Sequence, residues 1–340
     1  MTNIQKEIQK LKQGHLAPVY YIYGSEVFLK HQFNENLLAM FDDEPDLVHL
    51  DLSESSVDDI LDEANLFSFF AEYRVIMVEN ADFLTSQPKN KLTPNQEKRL
   101  IDYIQSPNQQ SVLVFYCSQD QIDKRRKIVK AFVKETIMID ISPLQAADVE
   151  RYVHQTIQDT HLQITREAQR ELLERVNYQL SEAMNELVKL RSYSTLGKPI
   201  NIEVVRSLVP RTLESDVFEL TNALLTQQLE RTVQIYQDLI LMRNDPVQLH
   251  ALLTSQFRVM IQSKILSSMG FNQGQIASEL SIHPYRVKLA LENSKIMTLA
   301  ELKIIYQEIV AVDYAMKTGY GNPQTHFIVL LTKIVQNKKV

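Results

Sequence analysis

Five short apolar runs alternate with helical patterns over the first 141 residues, and the strand signal stops after them. The runs are rich in β-branched residues, and the last three show little polar–apolar alternation, which is typical of strands buried on both faces of a parallel sheet. This alternation of strands and helices predicts a right-handed, doubly wound α/β domain. The predicted strands are residues 19–23, 47–52, 75–78, 112–116 and 136–141, and the predicted helices are residues 3–13, 28–40, 57–65, 95–104 and 125–133.

From residue 142 onward the sequence predicts helices alone. Residues 142–145 (SPLQ) predict a linker, Thr165 is expected to N-cap a helix, and Pro210 closes a small bundle. We therefore expect an α/β domain (1–141), a small helical domain (142–210) and an all-helical domain (211–340). In the last domain the predicted helices are residues 217–225, 229–242, 246–269, 275–280, 283–293, 299–317 and 326–336.

The turn after the first predicted strand has the frame of a phosphate-binding loop. Such a loop needs Gly-x-x-x-x-Gly-Lys-Ser/Thr, because backbone N–H groups surround the phosphates and the hydroxyl holds magnesium. Gly24 and Lys30 fall in register, but Leu29 replaces the second glycine and His31 replaces the hydroxyl residue. The Cβ of leucine resists glycine-like conformations and blocks the approach of phosphate. We expect nucleotide chemistry to be lost here; an ordinary strand–glycine–helix turn is the alternative interpretation.

Charge and composition exclude several functions. With 36 basic and 42 acidic residues the net charge is −6, which argues against a chain that grips a nucleic-acid backbone unaided. The single cysteine, Cys117, excludes an intramolecular disulfide and a multi-cysteine zinc site, and its apolar surroundings predict a core residue. The histidines lack metal-ligand spacing and no catalytic constellation stands out, so we expect no catalysis, no metal and no cofactor. A polar start and the absence of a long apolar run predict a soluble cytoplasmic protein without a membrane partner.

A cluster of large apolar residues follows the third predicted helix. Leu66, Phe67, Phe69 and Phe70 lie within five residues, with Ser68 among them. Such a density before a buried strand often belongs to a core, which is the alternative interpretation. Neither strand nor helix periodicity places all four side chains on one face, so at least one is expected to point outward.

A basic run begins the fifth predicted helix. Asp123 is expected to cap this helix, but cations in a first turn oppose the helix dipole by roughly 0.3 kcal/mol or more each. The run therefore suggests an outside partner, either DNA phosphates or an acidic protein surface; a solvated basic face is the alternative. Its members are Lys124, Arg125, Arg126, Lys127 and Lys130.

Residues 270–293 resemble a helix-turn-helix, with a break at Ser281 between two predicted helices. This pattern supports a second hypothesis, a DNA-binding regulator that reads a major groove. Against it, the second helix carries only two basic residues, Arg286 and Lys288, and Pro284 near its start is ordinary first-turn chemistry.

Seven short motifs, taken in order, carry a family resemblance over essentially the whole chain. They resemble the delta-subunit family of the bacterial DNA polymerase III clamp loaders, which belongs to the AAA+ class. The resemblance implies an AAA+-like parallel-sheet domain, a helical lid and a helical collar through which five subunits form a ring. The motifs are residues 17–24, 74–80 (RVIMVEN), 123–127 (DKRRK), 217–220 (VFEL), 256–258 (QFR), 283–288 (HPYRVK) and 313–319.

The resemblance also implies a function. Delta subunits bind the ring-shaped sliding clamp, the beta subunit, and hold one interface open for loading on primed DNA. Their partners are the tau/gamma and delta prime subunits of a heteropentamer, and they do not hydrolyse ATP. An ATPase motor subunit of the same assembly is the competing hypothesis. It would need an acidic pair where this chain has Glu79 and Asn80.

The resemblance further assigns a clamp-binding element. Phe69 and Phe70 match the family's bulky apolar pair, preceded by a small residue, here Ser68, that enters a hydrophobic pocket of the clamp. Phe69 stands where some relatives have leucine, so the fit is expected to differ in detail. Leu66 and Phe67 are expected to flank this pair or to pack beneath it.

Overall fold

A computed structural model of the chain describes residues 3–68, 71–194 and 199–336. The chain divides into two compact units, with the boundary between Leu144 and Gln145. The first unit holds a parallel five-stranded sheet with helices, and the second unit is helical apart from one isolated bridge between Ile164 and Ile200. The predicted combination of an α/β part and an all-α part is confirmed. The predicted domain boundaries at residues 141 and 210 remain predictions.

All neighbouring strands of the sheet are parallel. The strands are β1 (Val19–Tyr23), β2 (Asp46–Asp51), β3 (Arg74–Glu79), β4 (Ser111–Cys117) and β5 (Ile137–Asp140), in the spatial order β2-β3-β4-β1-β5. Burial on both faces is confirmed for β3 and β4, whose central residues are buried. It is wrong for β5, which is largely half-buried, because an edge strand has a neighbour on one side only.

Five α-helices and one short 3-10 helix complete the description of the first unit. They are α1 (Asn3–Lys12), α2 (Val27–Leu38), α3 (Val57–Asn65), α4 (Pro94–Gln105) and α5 (Lys127–Glu135), with the 3-10 helix at Asp82–Leu84. Ser56 and Thr93 begin α3 and α4 with capping boxes, which explains why both starts could be read from the sequence.

The side chains of β1 alternate between two layers of helices. Tyr20 packs edge-on against Phe33 of α2, with ring centroids 5.2 Å apart. Tyr21 points to the other face, where its ring contacts Phe83 and Phe132 and its hydroxyl donates to the Ala81 carbonyl at 2.5 Å. Strand β1 is thus covered on both sides, whereas Leu47 and His49 of the edge strand β2 are exposed.

The single cysteine lies in the core, as predicted. Cys117 is the last residue of β4 and is buried among the residues that pack between the sheet and α3, α4 and α5. Burial raises the pKa of its thiol above the ordinary value. A thiol in this state is a poor nucleophile, so its role is that of a small packing residue.

The second unit consists of eleven described helices. Thr165 caps one of them by accepting from the Ala168 N–H, as predicted. The largest apolar cluster of the unit lies between the long helices and includes Leu253, Phe257 and Ile309. The helices are α6 (Ala146–Asp159), α7 (Arg166–Arg175), α8 (Leu180–Ser194), α9 (Ile202–Leu208), α10 (Leu213–Leu225), α11 (Leu229–Leu241), α12 (Pro246–Ser268), α13 (Gln273–Leu280), α14 (Pro284–Ser294), α15 (Leu299–Lys317) and α16 (Pro323–Gln336).

Candidate functional site

The segment after α3 leaves its helix abruptly. Leu66 adopts an extended conformation at the end of α3, and its N–H donates to the Glu63 carbonyl at 3.3 Å. The Asn65 side chain donates to the Leu61 carbonyl, one turn earlier in the helix, at 2.7 Å. The helix therefore ends before the apolar cluster, and its amphipathic pattern does not govern the residues that follow.

Two members of the apolar cluster are exposed. Leu66 has 51% of its surface exposed and Phe67 has 69%. Full burial of a side chain of this size would stabilise the protein by about 1.5–3 kcal/mol, so leaving both exposed forgoes that gain. The prediction that at least one of the four points outward is confirmed. That Leu66 and Phe67 flank Phe69 and Phe70 or pack beneath them stays a prediction. Phe69 and Phe70, the first choice as anchors, lie outside the described residues.

A shallow depression borders the exposed phenylalanine. It has an empty volume of about 720 Å³ and is lined by Glu44, Pro45, Asp46, Phe67, Ser68, Ala71 and Arg74. The Ser68 hydroxyl accepts from the Ala71 N–H at 3.1 Å. Arg74, at the start of β3, forms ion pairs with Asp46, at 2.9 Å, and with Glu63. Sequence reasoning missed this arginine; the signal available was a charged residue at the start of an otherwise apolar strand.

The first turn of the sheet has the strand–turn–helix path predicted for a degenerate phosphate loop. Gly24 follows β1 with φ +127°, and its N–H donates to the Cys117 carbonyl at 2.9 Å. The Glu26 N–H donates to the Ile141 carbonyl, also at 2.9 Å. These two amides are thus bonded to the last residue of β4 and to the residue that follows β5, whereas a phosphate loop turns its amides toward the ligand.

Two of the side chains that follow this turn, those of Leu29 and Lys30, are held by other groups of the protein. Leu29 is completely buried, and His31 is exposed. Lys30 forms an ion pair with Glu79 at 2.6 Å, and its Nζ lies 4.4 Å from the centroid of the Tyr116 ring. The lysine of the loop frame is therefore held by protein groups at the carboxyl end of the sheet.

The basic run is divided between surface and interior. Four of its members are exposed, so a contact surface and a solvated basic face both stay predictions: Lys124, Arg125, Lys127 and Lys130. Arg126 is half-buried and donates to the carbonyls of Phe83 and Thr85, the latter at 3.2 Å. The prediction that α5 begins at residue 125 is therefore wrong by two residues, because Arg126 occupies the N-cap position of α5.

Asp123 does not cap α5, contrary to the prediction. Its carboxylate accepts from the N–H of Arg125 at 3.2 Å and from the guanidinium of the same residue at 2.9 Å. The carboxylate is thus used in a turn that precedes the helix. Hydrogen bonds from Arg125 hold the pKa of Asp123 below its ordinary value.

The two short helices of residues 270–293 are present, but their basic residues are not arranged as a reading surface. Ser281 adopts the left-handed conformation at the break, and α14 begins at Pro284 with His283 as its N-cap. Arg286 is half-buried and lines a cavity with Phe218 and Gln256 of the same unit. One of the two basic residues of the second helix thus faces neighbouring helices.

Within residues 3–68, 71–194 and 199–336, no group of three or more His, Cys, Asp or Glu side chains is placed to hold a metal ion. None of the described helices combines the length and the apolar composition needed to cross a bilayer.

Two family models match the chain. The model of the DNA polymerase III delta subunit matches residues 20–142, and the model of the C-terminal domain of that subunit matches residues 214–334. DNA polymerase III subunit delta of Bacillus subtilis (strain 168) is 31% identical over 335 residues, which cover 97% of this chain and 96% of the relative. The chain belongs to the DNA polymerase III delta-subunit family.

Further comparisons agree with this membership. A relative from Aquifex aeolicus (strain VF5), named "Probable DNA polymerase III subunit delta", is 21% identical over 285 residues, covering 81% of this chain and 79% of the relative. The solved structure of a Bacillus subtilis DNA clamp loader delta protein matches with a TM-score of 0.78 and 31% identity, over 98% of this chain and 99% of that one. The resemblance inferred from the motifs is confirmed. Residues 270–293 lie inside the matched C-terminal domain, and the comparisons give no support to a DNA-binding regulator.

Proposed function

We propose that this delta-family chain binds the ring-shaped sliding clamp, the beta subunit, and holds one interface of the ring open so that it can be loaded on primed DNA. The observation that carries the proposal is the exposure of Leu66 and Phe67 on a segment that leaves α3. The B. subtilis relative of matching length is named a clamp loader delta protein. Exposed apolar side chains beside a polar depression are typical of protein–protein contacts.

The anchors of the contact are Phe69 and Phe70, with Leu66 and Phe67 flanking them and Ser68 between. Aromatic side chains that enter a partner's pocket are the usual hot spots of an interface. Truncation of one such anchor weakens binding by about 2 kcal/mol or more. The segment is short, so the energy of docking is concentrated in few residues.

The chain does this work without hydrolysing ATP. The support is the state of the first turn, where the Gly24 and Glu26 amides are bonded to neighbouring strands and Lys30 is held by Glu79 and Tyr116. Leu29 fills the position of the second glycine from inside the core. Nucleotide in neighbouring subunits of the complex governs when the clamp-binding segment is available.

Opening of the ring follows from differential affinity. A protein shifts a conformational equilibrium only by the difference between its affinities for the two states. The docked segment therefore binds the distorted clamp interface more tightly than the closed one. No covalent step and no cofactor are involved.

The remaining partners are the tau/gamma and delta prime subunits of a heteropentamer, which acts in the cytoplasm. The support is an exposed apolar set on the last two helices, which suits packing against other subunits. Lys124, Arg125, Lys127 and Lys130 are available for primed DNA or an acidic neighbour. The exposed apolar residues are Ile304, Val310 and Tyr314 on α15 and Ile328 and Val329 on α16.

Binding to the immobilised clamp tests the proposal. We expect the wild-type chain to bind in the absence of nucleotide, and Phe69→Ala/Phe70→Ala to bind about 100-fold more weakly or not at all. A matched control is Leu241→Ala/Met242→Ala, since these apolar side chains are 79% and 71% exposed and belong to the second unit. Equal binding by the wild type and the Phe69/Phe70 variant would remove the site, and no binding by the wild type would remove the function.

Opening requires its own measurement. A clamp carrying a fluorophore pair across one interface is expected to lose energy transfer when the wild-type chain is added in excess. The Phe69→Ala/Phe70→Ala variant is expected to leave energy transfer unchanged at the same concentration. Binding without any change in energy transfer would limit the function to docking.

A further inference from the structure

Arg74 connects three elements beside the exposed segment. It is the first residue of β3, and it pairs through one guanidinium nitrogen with Asp46, the first residue of β2. Through another nitrogen it pairs with Glu63 in the last turn of α3. Only 15% of the Arg74 side chain is exposed, so both ion pairs are shielded from water more than ordinary surface pairs are.

Glu63 is the residue through which this arrangement reaches the segment. Its carboxylate is held by Arg74, while its backbone carbonyl accepts from the Leu66 N–H at 3.3 Å. Glu63 thus connects the Arg74 guanidinium to Leu66, the residue at which the chain leaves α3. Asp46 and Arg74 are register partners on adjacent strands, so the guanidinium is fixed relative to the sheet.

We infer that Arg74 is a positioning residue for docking: through Glu63 it fixes the direction in which Leu66 and Phe67 leave α3. This inference rests on the proposed function. An exposed segment that is already ordered loses less conformational freedom when it docks, which strengthens binding without any added contact. Arg74 itself touches the segment's depression but is not an anchor.

The chain offers a matched control for a purely structural role. Arg99 of α4 also bridges to α3, where it pairs with Asp58 in the first turn and with Asp62, the residue before Glu63. Arg99→Gln therefore removes an arginine that bridges to α3 but leaves both ion pairs of Arg74 in place. The Arg99 side chain is 42% exposed and that of Arg74 only 15%, so the free energy of unfolding of both variants is measured beside binding to separate loss of stability from loss of docking.

The experiment measures dissociation of the chain from its immobilised clamp for Arg74→Gln, Glu63→Gln and Arg99→Gln. We expect Arg74→Gln and Glu63→Gln to dissociate about tenfold faster than the wild type, with Arg99→Gln within about twofold, since weaker docking is expressed chiefly in the dissociation rate. Glu63→Gln removes only the ion pair between Arg74 and α3 and keeps the Arg74–Asp46 pair. If Arg74→Gln fails to fold, Glu63→Gln tests the inference in its place.

A double-mutant cycle separates positioning from additive effects. If Arg74 acts through the segment, adding Arg74→Gln to Leu66→Ala/Phe67→Ala weakens binding little beyond Leu66→Ala/Phe67→Ala alone. Independent, multiplying losses would overturn the inference, as would equal effects of Arg74→Gln and Arg99→Gln. If the wild type binds and the Arg74 and Glu63 variants bind equally well, the inference alone fails. If the wild type does not bind, the proposed function fails with it.

Discussion

Lys30 of α2 and Glu79 of β3 face each other at the carboxyl end of the sheet, with 2.6 Å between Nζ and Oε1. The Tyr116 ring lies beside the same ammonium group, 4.4 Å from Nζ to its centroid. In a working phosphate loop, the lysine reaches the β- and γ-phosphates. Here its charge is already balanced by a carboxylate and an aromatic face.

We therefore predict that Mg²⁺–ATP does not stabilise the isolated chain. A ligand at about 100 times its dissociation constant would raise the free energy of unfolding by about 2.7 kcal/mol. We expect no change in melting temperature at about 1 mM nucleotide, because the Gly24 and Glu26 amides and the Lys30 ammonium group are already bonded within the protein. Glu79→Gln, which frees the ammonium group, is the control, and a clear rise in the wild type's melting temperature would contradict this account.

The close approach of Gly24 to the end of β5 gives a second prediction. A Cβ at Gly24 would overlap the backbone of Ile141 and Ser142, and its φ of +127° is unfavourable for any L side chain. Gly24→Ala is expected to lower the free energy of unfolding by about 3 kcal/mol or more, measured by urea denaturation. Gly14→Ala is the comparison, since its φ is +84° but nothing lies within 4 Å of the added Cβ. A loss of about 1–2 kcal/mol is expected there.

Arg126 provides a test that separates the interior and exterior parts of the basic run. Arg126→Ala removes a charged donor from the Phe83 and Thr85 carbonyls and is expected to lower the free energy of unfolding by about 2 kcal/mol. Lys127→Ala, which changes an exposed residue in the first turn of α5, is expected to change it by less than about 0.5 kcal/mol. Similar losses in the two variants would show that the run acts as a single surface.

The buried histidine of α12 predicts a pH dependence. His250 is fully buried, and its Nε2 lies 2.8 Å from the Ile309 carbonyl. Burial lowers the pKa of its imidazole below the ordinary 6.5, and the charge of Lys317 lowers it further. The bond to Ile309 and the charge of Asp313 act in the opposite direction but do not cancel the effect of burial. Below pH 6.5 the unfolded chain therefore binds a proton that the native chain resists. This part of the stability is complete above pH 6.5 and falls as the pH is lowered, by at most about 1.4 kcal/mol per pH unit.

Chemical denaturation between pH 7.5 and about pH 5 tests the role of His250. His250→Gln is expected to be less stable in absolute terms, but its stability should fall less steeply than that of the wild type over this interval, since glutamine does not titrate. An unchanged slope in His250→Gln would assign the pH dependence to other groups.

The sequence predicts the sheet well for local reasons. The bounds of β1 are correct because an apolar run meets Gly24, and α3 is correct because Ser56 begins it with a capping box. The predicted start of α5 is wrong because Arg126 turns inward and donates to the carbonyls of Phe83 and Thr85. Both residues are distant in the sequence, so the local pattern around residue 125 does not indicate this contact.

The sequence predicts where the candidate site lies along the chain, but not in which direction its side chains point. The density of apolar residues marks positions 66–70, and the early end of α3 removes the periodicity that would assign their faces. The link from Arg74 to Asp46 and Glu63 depends on the pairing of β2 with β3 and on the packing of α3 beside them. These relationships join residues up to 28 positions apart and become visible only in the folded chain.

The burial of Cys117 has a practical consequence for labelling this protein with a dye. The chain's only thiol is buried and its pKa is raised, so we expect maleimide reagents not to react with it while the protein is folded. A cysteine introduced at an exposed position such as Gln13 would then accept a single dye without removal of the natural residue. Such a labelled chain could be used to time the proposed binding to the sliding clamp.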